Sequence, residues 1–230
     1  MVDRHALLIH GAGGGGWEWN IWRGVLQAHG IHVHAPDLIP AREGLAGTSL
    51  DDYRMQVLHA LLALPRPRVV VGASLGGLLA MQVAAQADAV MLVNPLPPAP
   101  WHRELPLREW ADVVPWQRNA RLASTRAALS DADDVTALYA CRNWRDESGA
   151  VLRAAHAGIE VERPGCPALF VVSARDEDVP PHISIGIAKH WQAERLETLA
   201  TSHVGPLLGR QAAQIATQAV AWLNNAWSLR

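Results

Sequence analysis

With 230 residues, half of them hydrophobic and 18% charged, the chain has the length and balance for one domain with a sizeable core. A formal net charge of -2 gives no basis for nucleic acid or an anionic membrane surface as a partner. No apolar stretch approaches a membrane span, because Gln82, Gln86 and Asp88 break the longest candidate. The start Met1-Val2-Asp3-Arg4-His5 lacks the features of a secretory signal, so a cytoplasmic protein is expected. Cys141 and Cys166 imply no disulfide framework and are expected as free thiols.

Short apolar runs alternate with longer helical patterns along the chain. The alternation predicts an α/β fold, a mostly parallel sheet of about six strands with helices on both faces. The first run, over 6–10, feeds the loop Gly11-Ala12-Gly13-Gly14-Gly15-Gly16-Trp17. A helix is expected over 20–29, a strand over 31–35 and a helix over 50–64. Ser49 can cap that helix, with Asp51 and Asp52 favourably placed in its first turn. The strand over 68–73 breaks into Gly72-Ala73-Ser74-Leu75-Gly76 and a helix over 75–87, and a strand over 89–94 follows. From Pro95 to Pro164 no strand is expected, only amphipathic helical pieces over 133–144 and 148–157 between proline clusters. That stretch reads as a small helical cap, at about 95–165, inserted in one domain spanning 1–230. Strands over 168–173 and 195–199, with helices over 182–190 and 210–227, complete the pattern. Near-continuous apolar strands such as Val69-Val70-Val71 suit a sheet covered on both faces.

Strand, tight Gly-x-Ser-x-Gly turn and helix together raise the Ser74 hydroxyl on a strained corner at the carboxyl edge of the sheet. A serine so placed can attack a carbonyl if a histidine takes its proton and a carboxylate orients that histidine. Asp176 follows the strand ending at Ser173, and His203 follows the strand ending at Leu199, so both belong at the same edge. Asp178 lies in the same loop and is the rival carboxylate; Asp176 is favoured because it sits nearer the strand end. Of eleven histidines, only His203 follows a core strand and precedes the last helix. His32 and His34 share a strand face at a spacing open to metal, but no third ligand is apparent and no metal is expected. The glycine loop lets backbone N–H groups approach a substrate oxygen, with the N–H of Leu75 as a second donor.

The same loop permits another enzyme. Gly11-x-Gly13-x-x-Gly16 after a strand, with Asp37 ending the next, matches a dinucleotide fingerprint and so a nicotinamide-dependent oxidoreductase. In so glycine-rich a run the match is nearly automatic, Trp17 and Trp19 would crowd a pyrophosphate, and Ser74, Asp176 and His203 would be left without a job.

Over essentially its whole length the chain resembles an α/β-hydrolase. His10-Gly11-Ala12 with Gly16-Trp17-Glu18-Trp19, 26–30 leading to Ala35-Pro36-Asp37-Leu38, and Ser49-Leu50-Asp51-Asp52-Tyr53 are similar to the plant methylesterase and hydroxynitrile lyase group. The resemblance implies Ser74 as nucleophile, Asp176 as acid, His203 as base, and Ala12 and Leu75 as oxyanion donors. Ala73 departs from the larger residue that commonly precedes the serine. Val204 stands beside the histidine where the lyases carry lysine, and Lys189, the only lysine, lies elsewhere, so cyanohydrin cleavage is not expected.

The expected activity is serine-dependent cleavage of a small to medium ester or thioester with an apolar part, needing no cofactor. Ten tryptophans is high for this length, and Trp17, Trp101, Trp110, Trp116 and Trp144 are candidate pocket walls, or else pins between cap and core. A hydrolase fold kept only for ligand binding is the third reading.

Overall fold

The computed structural model describes residues 3–200 and 202–228. Strands β1 (Arg4–Ile9), β2 (Ile31–His34), β3 (Arg68–Ala73) and β4 (Ala89–Val93) alternate with helices α1 (Asn20–Ala28), α2 (Leu50–Leu62) and α3 (Leu75–Val83). Between β4 and the next core strand come β5 (Val113–Val114), α4 (Leu122–Ala128), α5 (Asp134–Asn143), β6 (Glu147–Ser148) and α6 (Gly149–Ala157). The chain ends on β7 (Ala168–Ser173), α7 (Pro181–Trp191), β8 (Glu194–Thr198), α8 (Gly205–Leu208) and α9 (Ala212–Ser228).

The main sheet has six strands in the order β2-β1-β3-β4-β7-β8, all parallel. Leu8, Val71, Met91 and Leu169 are register partners across four adjacent strands and pack in the layer that includes Trp22, Leu26, Ile215 and Leu223 of α1 and α9. One residue earlier, Leu7, Val70 and Val90 face the other way, toward side chains of α2, α3 and α7. The period of two thus divides the core into two layers, and every residue of β3 and β4 is buried. The edge strands differ. Residues His32 and His34 of β2, and Glu194, Arg195 and Glu197 of β8, keep those edges polar.

Core elements fall within a few residues of their expected ends. The expectation of no strand between Pro95 and Pro164 is corrected by an antiparallel ladder pairing Val113 with Ser148 and Val114 with Glu147. Two-residue strands are too short to carry a period of two. Helix α4 also goes unread because its side chains are mostly exposed and form no apolar stripe. Among the described residues, no helix is long and apolar enough to cross a membrane. Cys141 and Cys166 form no disulfide among the described residues, and the Cys166 thiol donates to Ala84 O at 3.7 Å.

The order of strands reverses direction beside β1, so the loops after β1 and β3 flank a crevice at the carboxyl edge.

Candidate active site

Ser74 closes β3 with φ 53° and ψ -119°, a conformation that L-residues rarely adopt and that costs roughly 1–3 kcal/mol. Its surroundings overdetermine it. The Ser74 N–H donates to Val93 O at 3.0 Å, and its carbonyl accepts from Gly77 N and Leu96 N, each at 2.9 Å. A Cβ at Gly72 would be driven into the carbonyl oxygen of Gly76, and one at Gly76 into the carbonyls of Ile9 and His10. Backbone therefore crosses backbone at both glycines of the turn, which leaves the serine as its apex.

After β7, the Asp176 side chain is wholly buried and His203 Nδ1 lies 2.6 Å from its Oδ2. The other carboxylate oxygen accepts from Asp178 N at 2.9 Å and Val179 N at 3.0 Å, which fixes the orientation of the acid. Asp178, the rival, makes no hydrogen bond to the imidazole among the described residues; its side chain is 48% exposed and pairs with Arg108 at 2.6 Å. Burial works to lower the His203 pKa, but the charge and hydrogen bond of Asp176 outweigh it, and the net shift is upward. With Nδ1–H donated to the carboxylate, Nε2 is left as the accepting nitrogen.

The His203 loop is tied down on two sides. Asn94 Nδ2 donates to the His203 carbonyl at 2.6 Å and to Ser173 Oγ at 2.8 Å, and Ser173 Oγ donates to Ser202 O at 3.0 Å. From the segment between β4 and β7, Asp131 accepts from Ser202 Oγ at 2.5 Å and Ser202 N at 3.2 Å. Neither Asn94 nor Asp131 stands out in the sequence. Asn94 does sit at the carboxyl end of a core strand, the one signal that singles out such positions.

Ser74 and His203 border one cavity of about 370 Å³, together with Gly11, Ala12 and Glu18. Among the described residues no hydrogen bond joins the Ser74 hydroxyl to the imidazole directly, and unliganded sites commonly hold this contact loose. Nor do the N–H groups of Ala12 and Leu75 donate to protein among the described residues.

The glycine loop is held from outside itself. Gly13 N donates to Glu147 Oε2 at 2.9 Å and Gly16 N to Asp37 Oδ1 at 2.7 Å, while Arg145 N and Nε donate to Gly13 O (2.7 Å) and Gly14 O (2.6 Å). Beneath it His10 is buried and pushed down to about 4 by desolvation; its Nε2 accepts from Leu38 N at 2.9 Å and its Nδ1 lies 2.7 Å from Gly11 O. Glu18 is the surprise. Only 2% exposed, it accepts from Gly11 N at 3.3 Å, and burial pushes its carboxyl up to about 8. A carboxylate between two tryptophans, directly after a glycine run, was the only hint of it.

Of the five candidate tryptophans, Trp110, Trp116 and Trp144 line the cavity, as do Arg108, Arg121 and His156. Trp17 and Trp101 do not, and for them the expectation is corrected. Trp17 packs edge-on behind Trp144 at 5.2 Å, and Trp101 packs on His190 of α7 at 5.2 Å. Asp176, Asp178 and His203 each offer a ligand atom within 4.8 Å of the others, so the Asp178 carboxyl lies beside the bonded Asp176–His203 pair and its charge helps to raise the His203 pKa. His32 stacks on His5 at 5.1 Å on the sheet edge.

Known proteins carry the same framework. A probable esterase from rice (Oryza sativa subsp. japonica) is 37% identical over 119 residues, 46% of this chain and 45% of that protein. Norfluorocurarine synthase 1 from Strychnos nux-vomica is 34% identical over 83 residues, 33% of this chain and 30% of its own length. The matches thus span less than half of these curated relatives. Among solved structures, tomato methylketone synthase I superposes with a TM-score of 0.77 at 15% identity, over 98% of this chain and 100% of the other. Polyneuridine aldehyde esterase gives 0.74 at 16%, over 95% and 100%. Identities this low speak for the fold alone. A model of the alpha/beta hydrolase family matches residues 6–218, however, and by that match the chain belongs to the alpha/beta hydrolase family.

Proposed function

We propose that the protein is a serine hydrolase that cleaves a small to medium ester or thioester through an acyl-enzyme. The observation that carries the reading is the 2.6 Å bond from His203 to a wholly buried Asp176, on the wall of a cavity shared with a strained Ser74. His203 Nε2 takes the Ser74 proton as Oγ attacks the carbonyl carbon. The tetrahedral oxyanion is held by the N–H groups of Ala12 and Leu75, a pair of contacts each typically worth several kcal/mol of barrier. The leaving alcohol or thiol takes the proton from His203, and water activated by the same imidazole releases the acid. The chemistry calls for no metal and no cofactor.

In this reading the insertion between β4 and β7 acts as the cap, and the walls of Trp110, Trp116 and Trp144 favour an apolar acyl or alcohol part. The rice relative, described as a probable esterase, supports the reaction class. A nicotinamide-dependent reading is disfavoured by the loop itself. The N–H groups of Gly11, Gly13 and Gly16 already donate to Glu18, Glu147 and Asp37, carboxyl side chains standing where a pyrophosphate would need bare donors.

The test is a fluorophosphonate probe and p-nitrophenyl esters of increasing chain length, with wild type and Ser74→Ala side by side. Labelling and turnover of the wild type, both lost in the variant, are expected. An unlabelled wild type, or a variant that still turns over, overturns the assignment; binding without turnover in both would favour a ligand-binding role.

A further inference from the structure

Glu18 is a buried carboxyl on the wall of the candidate site that the triad leaves unused. It reaches that place through the turn Gly16–Trp19, in which Trp19 is fully buried and the preceding side chain folds back under the glycine loop. Gly14 makes room, since a Cβ there would collide with the Glu18 carboxyl group. Oε2 accepts from Gly11 N at 3.3 Å, one residue before the proposed donor Ala12. The Gly15 backbone also hydrogen-bonds the carboxyl group, and Glu18 borders the cavity alongside Ala12, Ser74 and His203.

The charged groups around it do not form an ion pair with it. His203 faces it from the loop after β8, and Arg145 from the stretch before β6. Arg145 is itself engaged by Gly14 O and by Asp37 at 3.5 Å, and Glu147 and His10 are bound to other parts of the loop. Burial is the largest influence on Glu18 and raises it to about 8, against the opposing pull of Gly11, His203, Gly15 and Arg145. At pH 7 the group therefore carries a proton. A protonated carboxyl is a donor as well as an acceptor; with Oε2 accepting from Gly11, the O–H belongs on Oε1.

We propose that Glu18 works as a neutral carboxylic acid, donating a hydrogen bond from Oε1 to the reacting oxygen of the bound ester beside the N–H groups of Ala12 and Leu75. The inference rests on the esterase reading above. A carboxylic acid kept neutral by an apolar site can serve an oxyanion in this way. Its ionised form would place negative charge where the oxyanion develops, so deprotonation should weaken catalysis. Glu18 keeps its proton throughout; His203 carries the proton that is transferred.

The experiment is a kcat and KM profile from pH 6 to 10 for wild type, Glu18→Gln and Glu18→Leu, with fluorophosphonate labelling of Ser74 as the check on folding and nucleophile. Wild-type kcat should decline above about pH 8. Glu18→Gln, which offers a weaker N–H donor and cannot ionise, should lose roughly tenfold at pH 7 and lack that decline. Glu18→Leu, with no donor, should lose roughly 10²-fold in kcat with little change in KM. The same alkaline decline in Glu18→Gln and wild type, or near-full kcat in Glu18→Leu, overturns the proposal. Difference infrared spectra supply a readout independent of turnover. A protonated-carboxyl C=O band should be present at pH 7 in wild type, absent in Glu18→Gln, and lost near pH 8. No such band overturns the proposal even if the protein is an esterase. A band in a protein that fluorophosphonate does not label overturns both the esterase reading and the donor role, while identifying the esterase reading as the part that failed first.

Discussion

Holding Glu18 neutral has a cost in stability, and Glu18→Gln exposes it. An unfolded glutamate ionises near 4.5, whereas the folded Glu18 holds its proton to about 8. Between those values the folded state binds the proton that the unfolded state releases, so stability is full below 4.5 and falls as pH rises. Each pH unit in that window removes about 1.4 kcal/mol. By pH 7 the loss reaches about 3 kcal/mol, and above pH 8 it levels at about 5 kcal/mol, ceilings that any water entering beside the carboxyl would lower. Glutamine does not titrate and retains an acceptor for Gly11 N. The difference between the two proteins therefore isolates this group, because groups that do not interact with Glu18 cancel. The assay is urea unfolding followed by tryptophan fluorescence at pH 5, 6, 7 and 8. Glu18→Gln should gain on wild type at each step, from under about 1 kcal/mol at pH 5 to about 3 kcal/mol at pH 7. Parallel stability profiles would show that Glu18 ionises in the folded protein as readily as in the unfolded chain, and would refute the reasoning.

Asp176→Ala should cut kcat roughly 10³–10⁴-fold, while Asp178→Ala costs less than about tenfold, because only the first orients the imidazole; equal losses in steady-state assays would reverse the assignment. Activity should fall as pH drops through the His203 pKa, which Asp176 raises above 6.5 despite burial, and Asp176→Asn should move that acid limb to lower pH. Gly72→Ala forces a Cβ into the Gly76 carbonyl and should destabilise by more than about 2 kcal/mol in denaturant melts. Trp116→Ala should raise KM for apolar esters several-fold, whereas Trp101→Ala, away from the cavity, should leave KM within about twofold.

The frame of the sheet was legible because its signals are local. Val69, Val70 and Val71 are apolar without alternation, as strands covered on both faces must be, and glycines hem in Ser74 over five residues. Asp176 and His203 each follow a core strand, and the structure brings them to 2.6 Å. What escaped depends on distant contacts. Asp131 meets Ser202 across 71 residues and Glu147 meets Gly13 across 134, and neither partner carries a pattern that announces the other. Trp17 and Trp144 look alike as sequence, yet an edge-on stack puts one behind the wall that the other forms. Glu18 would be read as surface charge on its own; only the burial of Trp19 and the missing Cβ at Gly14 turn it inward.

Those distant contacts share a source. Asp131 holds the loop of His203, while Arg145 and Glu147 hold the glycine loop, and all three lie in the segment between β4 and β7. Glu147 is itself braced by Tyr53 of α2 at 3.0 Å and by Ser148 N at 2.8 Å. Hydrogen bonds to charged groups contribute about 1.5–3 kcal/mol each, and a buried carboxylate left unpaired costs more than its bond contributed. The strained serine draws one bond from the start of that segment, Leu96 N to its carbonyl, and is otherwise held by β4 and the turn glycines. In the proposed chemistry the nucleophile is therefore set mainly by the core, while the base and the oxyanion loop are tied both to the core, through Asn94, Asp176 and Asp37, and to the segment between β4 and β7. A shift of that segment would loosen one side of each loop, so the stretch that walls the cavity also helps to align the groups in it.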